Sequence, residues 1–242
     1  MKKVALVTGG AKGLGAAICK HLAKDGYYVV VHFNKSAQEA KKLLADIRKD
    51  SADCSMISAD LTSEDEVFDM FEAFEKKHKR LDLLVNNVGN FLFKPFGKTT
   101  NGEFRDILET NIYSTLYCSR KAIRLMRKQK SGHIINIGAT GAERLIIREN
   151  SVPYFLGKTG VYVLTKAMAW EEAKNGIHIN MISPASMATD IFDKDDFPMG
   201  RETNYDDVIK ALSFLTSDDA YYINGANIEV SGGFVPGMVK AE

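Results

Sequence analysis

The chain alternates between two spacings of apolar residues. Short, continuously apolar runs stand at 4–7, 27–33, 54–59, 81–86, 133–138, 177–183 and 227–230. All but the last lead into stretches where apolar residues recur every three or four positions. The runs predict strands buried on both faces, because a strand with one wet face alternates instead. The longer stretches predict helices over 14–24, 36–49, 100–129, 151–175 and 205–216, and a further one from Ser63 into the polar run 76–80. Gly26 stands where a first helix stops. Ser36-x-x-Glu39, Ser63-x-x-Glu66 and Thr100-x-x-Glu103 read as capping boxes. Regular strand–helix alternation predicts an α/β chain with a doubly wound parallel sheet of about seven strands flanked by helices, one domain spanning 1–242. Ligands of such a sheet bind beyond the carboxyl ends of its strands. The irregular segment 186–204 follows the sixth strand on that side and reads as a substrate lid.

Composition trims the possibilities. The 242 residues carry 32 Lys+Arg against 31 Asp+Glu, a net charge of +1, and 45% are apolar. That is enough for a full core, and it excludes disorder, collagen and coiled coil. Balanced charge removes a general pull toward nucleic acid or anionic membrane. The six basic residues between Arg120 and Lys130 then read as the wet face of a long helix. Cys19, Cys54 and Cys118 lie far apart with no CxxC or Cys/His ligand spacing. That argues for a reducing, cytoplasmic setting and against disulfides or a metal site. The first apolar stretch ends at Thr8-Gly9-Gly10, too short for a signal peptide, and no uncharged run suits a membrane span.

Chemistry begins at Thr8-Gly9-Gly10-Ala11-Lys12-Gly13-Leu14-Gly15, between the first strand and first helix. Glycines there allow a tight turn, close approach to a pyrophosphate and close helix–strand packing, while the helix start offers free N–H groups. The context predicts a Rossmann-like dinucleotide site. An NAD-selective site wants a carboxylate at the end of strand two, but the chain reads His32-Phe33-Asn34-Lys35-Ser36 there. Lys12, Asn34, Lys35 and Ser36 suit a 2′-phosphate, so the coenzyme expected is NADP(H). Farther on, Tyr154 and Lys158 are four residues apart on one helix face. A free phenol titrates near ~10, and a neighbouring ammonium lowers that value, which suits general acid–base work.

In order along the chain, these motifs resemble the short-chain dehydrogenase/reductase family. The turn matches its TGxxxGxG, and a basic residue at Lys12 accompanies NADP preference in that family. Asp60, followed by Leu61, matches its adenine-contacting acid. Asn86-Asn87-Val88-Gly89 resembles its NNAG motif, and Asn111 its helix asparagine, which implies a water-holding proton relay. Tyr154 to Lys158 is its YxxxK, implying that Lys158 also binds the nicotinamide ribose. Asn180 and Pro184 to Thr189 resemble its N-x-x-x-P-G-x-x-x-T, with Ala185 in place of Gly. Tyr222 to Gly225 and Val230 to Gly233 resemble its C-terminal signature. The resemblance also implies a homo-oligomer, a tetramer or dimer.

One element of the pattern is missing. Ala139 stands where the family's catalytic serine belongs, and Thr140 is the nearest hydroxyl. The loop from there to Tyr154 is about two residues longer than usual and carries Glu143, Arg144, Arg148 and Glu149, read as a solvated charged loop. Phe91, Phe93 and Phe96 fit a substrate pocket, a core or a subunit contact equally. Within the family the chain resembles 3-oxoacyl-[acyl-carrier-protein] reductases, which implies reduction of a carbonyl, free or as an acyl thioester. Two alternatives stay open. Pteridine reductases also lack the serine and carry a Gly-Arg in the lid, like Gly200-Arg201, although their aspartate at the serine position is absent. A catalytically weak NADP-binding sensor or scaffold is the third.

Overall fold

The computed structural model describes residues 2–50, 52–146, 149–187 and 194–235. Seven strands form one sheet: β1 (Val4–Val7), β2 (Tyr28–Phe33), β3 (Cys54–Ser58), β4 (Leu83–Asn86), β5 (Gly132–Ile137), β6 (Ile177–Pro184) and β7 (Asn227–Val230). Their order is β3-β2-β1-β4-β5-β6-β7, and every neighbouring pair is parallel. The helices are α1 (Gly13–Lys24), α2 (Ala37–Lys49), α3 (Glu64–Lys77), α4 (Asn101–Leu108), α5 (Ser114–Gln129), α6 (Val152–Glu172) and α7 (Tyr205–Leu215). The continuous Val/Ile/Leu runs are buried because both faces are covered. One apolar cluster packs α1, α2 and α7 on one face of the sheet, and a second packs α3, α5 and α6 on the other. The winding reverses between β1 and β4, which opens a crevice beyond their carboxyl ends.

A polar ladder crosses this apolar interior. Asn86 pairs in register with Asn136, donating from Nδ2 to its Oδ1 at 2.8 Å, and Asn136 donates to Thr165 Oγ1 at 2.8 Å. A slip of one residue would strand these buried amides without partners, so the ladder pins β4 to β5.

Three local expectations change. The helix predicted over 100–129 is not continuous. A π-helical turn at Glu109–Tyr113 separates α4 from α5, and the Ser114 amide donates five residues back to Glu109. Hydroxyls of Thr110, Ser114 and Thr115 bond to carbonyls four residues earlier, the local competition that loosens an α-helical ladder. The box at Thr100 and Glu103 is complete. The one at Ser36 does not form, because Glu39 turns to Lys12 at 2.9 Å instead. At Ser63 only half forms, since the Glu66 carboxylate accepts from the Asp60 amide at 2.7 Å.

The charged loop after β5 is not simply solvated. Glu229 of β7 accepts the Gly141 amide at 2.8 Å and pairs with Arg144, while Asn227 donates to Glu143 at 3.0 Å. Arg148 lies outside the described residues, and Glu149 is exposed. Within 186–204, Phe197 is buried against Phe234 with ring centroids 5.1 Å apart, and Thr203 Oγ1 donates to the Val230 carbonyl at 2.8 Å. That part of the expected lid is fastened to the end of β7. The basic stretch on α5 is largely paired: Arg124 with Glu75 at 3.3 Å, Arg127 with the buried Glu172, and Lys121 over the Phe68 ring at 3.9 Å. Among the described residues no helix is long and apolar enough to cross a membrane.

Candidate active site

The crevice holds a cleft of about 330 Å³, lined among others by Leu14, Gly89, Phe91, Ala139, Tyr154 and Lys158. Each wall is placed by a different rule. β1 delivers the glycine turn. Gly9 and Gly13 sit at φ +59° and +52°, where a side chain is strained. A Cβ on Gly15 would overlap the Gly9 carbonyl oxygen, so α1 approaches the turn as closely as it does only without one. The first intrahelical bond runs from Ala16 to the Lys12 carbonyl, which leaves the amides of Gly13, Leu14 and Gly15 at the helix start for an anion. Asn87, at the end of β4, braces this turn: its Nδ2 donates to the Thr8 carbonyl at 3.0 Å, and its amide to Thr8 Oγ1 at 2.8 Å.

Beyond β3 the chain is organised around Asp60. Its carboxylate accepts from the Thr62 amide at 3.0 Å and hydroxyl at 2.7 Å, and from Asn34; these bonds, Thr62 first, hold its pKa below the usual range. Leu61 is buried beside it. Lys35 is exposed and Ser36 half-buried between β2 and α2, where Glu39 pairs with Lys12.

The wall that carries the candidate catalytic residues comes from α6 and the π-turn. Lys158 is 5% exposed and donates from Nζ to the Ile137 carbonyl at 2.8 Å. Burial lowers its pKa to about 8. Its Nζ stands 5.6 Å from the centre of the Tyr154 ring. The expectation that this ammonium lowers the phenol's pKa is not met: burial dominates and pushes Tyr154 up to about 12. The Tyr154 ring is met edge-on by Phe91, 4.9 Å between centroids. Phe91 therefore lines the cleft; Phe93 stacks on it from outside, and Phe96 is exposed. Asn111, fully buried in the π-turn, donates to the carbonyls of Asn90 at 3.0 Å and Ile107 at 2.9 Å. Its Oδ1 has no hydrogen-bond partner among the described residues. A Cβ on Gly89 would overlap that oxygen and come within 3.2 Å of Lys158 Nζ. Gly89 is thus the gap through which the amide oxygen and the ammonium face one cradle.

The structure brings Tyr154, Lys158, Asn111, Gly89 and the glycine turn around one crevice. Pro184 closes β6 beside them, accepting the Thr140 amide at 3.1 Å. Thr189 lies outside the described residues. Thr140 is buried, and its hydroxyl donates to the Ser183 carbonyl at 3.1 Å, a bond it would have to leave to serve a substrate. Arg201 forms a two-pronged pair with Asp207 at the start of α7, at 2.6 and 3.0 Å. Sequence reasoning missed two residues. Ser151, fully buried, lines the cleft just before α6, but reads in the sequence only as a helix start. His32 sits in an apolar run, where periodicity marks it as core.

A cradle that admits no Cβ at Gly89, an unpartnered amide oxygen in it and free helix-start amides together fit a nicotinamide dinucleotide. The comparisons with known proteins agree. Residues 3–197 match the family model for short chain dehydrogenase. The chain is 33% identical, over 96% of its length and 98% of the relative's, to 3-oxoacyl-[acyl-carrier-protein] reductase FabG of Staphylococcus aureus. It is 31% identical, over 96% and 97%, to 3-oxoacyl-[acyl-carrier-protein] reductase of Synechocystis. Among solved structures it superposes on gox2181 with a TM-score of 0.90 and 27% identity, covering 96% of this chain and 95% of that one. By motif order, sheet order and sequence likeness, the chain belongs to the short-chain dehydrogenase family of oxidoreductases.

Proposed function

We propose that this protein is an NADPH-dependent carbonyl reductase acting on a 3-oxoacyl thioester or a similar ketone. The observation that carries the reading is the pairing of Tyr154 with Lys158 on one wall of a cleft that begins at a dinucleotide-type glycine turn. The names of the curated relatives support the substrate class. In this reading the coenzyme, when bound, supplies hydride. The amides of Gly13, Leu14 and Gly15 hold its pyrophosphate, Asp60 and Leu61 take the adenine side, and Lys12, Asn34, Lys35 and Ser36 take the 2′-phosphate. Gly89, Asn87 and Pro184 line the nicotinamide end.

Tyr154 keeps its proton until the carbonyl oxygen gains charge, then passes it to the far more basic alkoxide. Lys158, cationic below about pH 8, stabilises the phenolate left behind. Asn111 holds a water against Lys158 through its unpartnered Oδ1, which carries a replacement proton inward. Without a serine at 139, Tyr154 bears most of the oxyanion contact, and Thr140 contributes only by leaving Ser183. A pteridine substrate has less support, because the lid arginine is committed to Asp207. An inactive sensor is disfavoured by the intact Tyr154–Lys158 wall.

Oligomerisation through α6 belongs to the same reading. Leu156, Val163 and Trp170 recur every seven residues on one exposed stripe, Trp170 being 87% exposed, and suit a second copy of the chain. Three buried free thiols fit a reducing cytoplasm.

The test is coenzyme oxidation with acetoacetyl thioesters, simple ketones and dihydropteridines, each with NADPH and NADH. Turnover of the thioester with NADPH preferred is expected. Turnover of the pteridine alone, or a clear NADH preference, would overturn the reading.

A further inference from the structure

β2 is an apolar strand with one heteroaromatic interruption, His32, which is 1% exposed. An imidazole taken out of water costs free energy unless both nitrogens find partners. Here both do. Nδ1 lies 3.1 Å from the Gly9 amide, and Nε2 lies 3.1 Å from the Ala59 carbonyl. An amide N–H only donates and a carbonyl only accepts. The ring must therefore carry its proton on Nε2 and present a lone pair at Nδ1. Burial holds its pKa at about 4, so it stays neutral near pH 7. The backbone carbonyl of the same residue accepts the next amide of the turn, Gly10, at 2.8 Å.

Two successive peptides of the glycine turn thus face β2 through one residue. The far edge of the ring grips the peptide just before Asp60. Gly9 needs this hold, because at φ +59° its conformational freedom is wide and nothing in its own side chain restrains it. The carbonyl of the same Thr8–Gly9 peptide accepts from Asn87 Nδ2 at 3.0 Å, so a swing of this peptide would also disturb the segment after β4.

We propose that His32 is a positioning residue for the coenzyme: a neutral imidazole strut that fixes the Gly9 peptide against the Ala59–Asp60 peptide and so sets the span between the phosphate turn and the adenine-side acid. The inference rests on the dinucleotide reading given under Proposed function. It concerns placement of the binding groups, because His32 itself lies beneath the turn.

Two isosteric halves of the ring separate this role from plain packing. His32→Asn keeps an acceptor at the Nδ1 position and gives up the reach to Ala59. His32→Gln keeps a donor at the Nε2 position and leaves the Gly9 amide without an acceptor. The dissociation constant for NADPH, read by fluorescence titration, should rise no more than about threefold in the Asn variant and about tenfold or more in the Gln variant. Saturated kcat should change less than about twofold in either. Gly9 amide exchange in the coenzyme-free protein should be slow in the wild type and in the Asn variant, and fast in the Gln variant. Equal losses in Asn and Gln, or an unchanged constant in a folded Gln variant, would overturn the proposal. Should the Gln variant not fold, ¹⁵N spectra of wild-type His32 decide: a protonated Nδ1 at pH 7 overturns the strut, and a bare one supports it. A wild type that binds neither NADPH nor NADH sinks the coenzyme reading and this inference together; a wild type that binds while the variants match it sinks this inference alone.

Discussion

The two sides of the cleft are built differently. The glycine-turn side, from β1 to β4, is held by buried hydrogen bonds to the backbone of the turn. Amides of Gly9 and Gly10 point into β2, Asn87 stitches the turn to β4, and glycines stand where a Cβ has no room. The substrate side, after β5 and β6, is held by side chains at the surface: Glu229 with Arg144, Asn227 with Glu143, Arg201 with Asp207. Backbone bonds with steric exclusion tolerate few substitutions, whereas partly exposed ion pairs are individually weak and exchangeable. The glycine turn keeps the family pattern, while Ala139 stands where the family has a serine. Coenzyme handling and substrate choice can then vary separately.

The sharpest way to test that separation is Tyr154→Phe. It removes the proposed proton donor while leaving the ring packed against Phe91. Turnover should fall by ~10²–10⁴, the usual worth of a positioned acid, with NADPH affinity nearly unchanged. A parallel loss of affinity in direct binding would mean that the two sides are not separable.

A middle-sized effect is expected from pH. Tyr154, held near 12, stays protonated throughout an ordinary assay range, so the alkaline limit of reduction belongs to Lys158. Its pKa is lowered to about 8, so the ammonium is present below that value and lost above it. The kcat profile should be flat up to about pH 8 and then fall, up to roughly tenfold per unit. Lys158→Arg should extend the plateau, and a wild-type profile flat to pH 10 would remove the ammonium from the mechanism.

The smallest effect belongs at the coenzyme rim. Glu39 competes for Lys12 with any 2′-phosphate. Glu39→Gln should tighten NADPH about two- to fivefold, as befits an exposed pair, and leave NADH unchanged. Equal shifts for both coenzymes would place the 2′-phosphate elsewhere.

The same contrast governs what could be read from the sequence. Strands buried on both faces announce themselves as apolar runs, so the seven strands and their single sheet were legible, as were the glycine turn and the Tyr154–Lys158 spacing. Features set by competition between side chains were not. Ser36 and Glu39 satisfy the capping pattern, yet Lys12, distant in sequence, takes the carboxylate. The charged loop after β5 reads as solvated because its partners, Asn227 and Glu229, arrive about 85 residues later. Tyr154 and Lys158 are adjacent as expected, but the sign of the phenol's shift follows burial, which spacing does not encode. His32 was hidden for a plainer reason: in a strand that alternates between two buried faces, a polar residue is recognisable only once its two partners are known.

The π-turn at Glu109–Tyr113 acts as a phase shift in a screw thread. A regular α-helix advances about 100° per residue, so one surplus residue rotates everything after it by that much relative to what came before. α4 and α5 can therefore each offer a different stripe to α6, and the crossover between the stripes falls at Asn111. Deleting a single residue here would restore an even thread, and the amide would be turned about a quarter of a revolution away from Gly89 and Lys158.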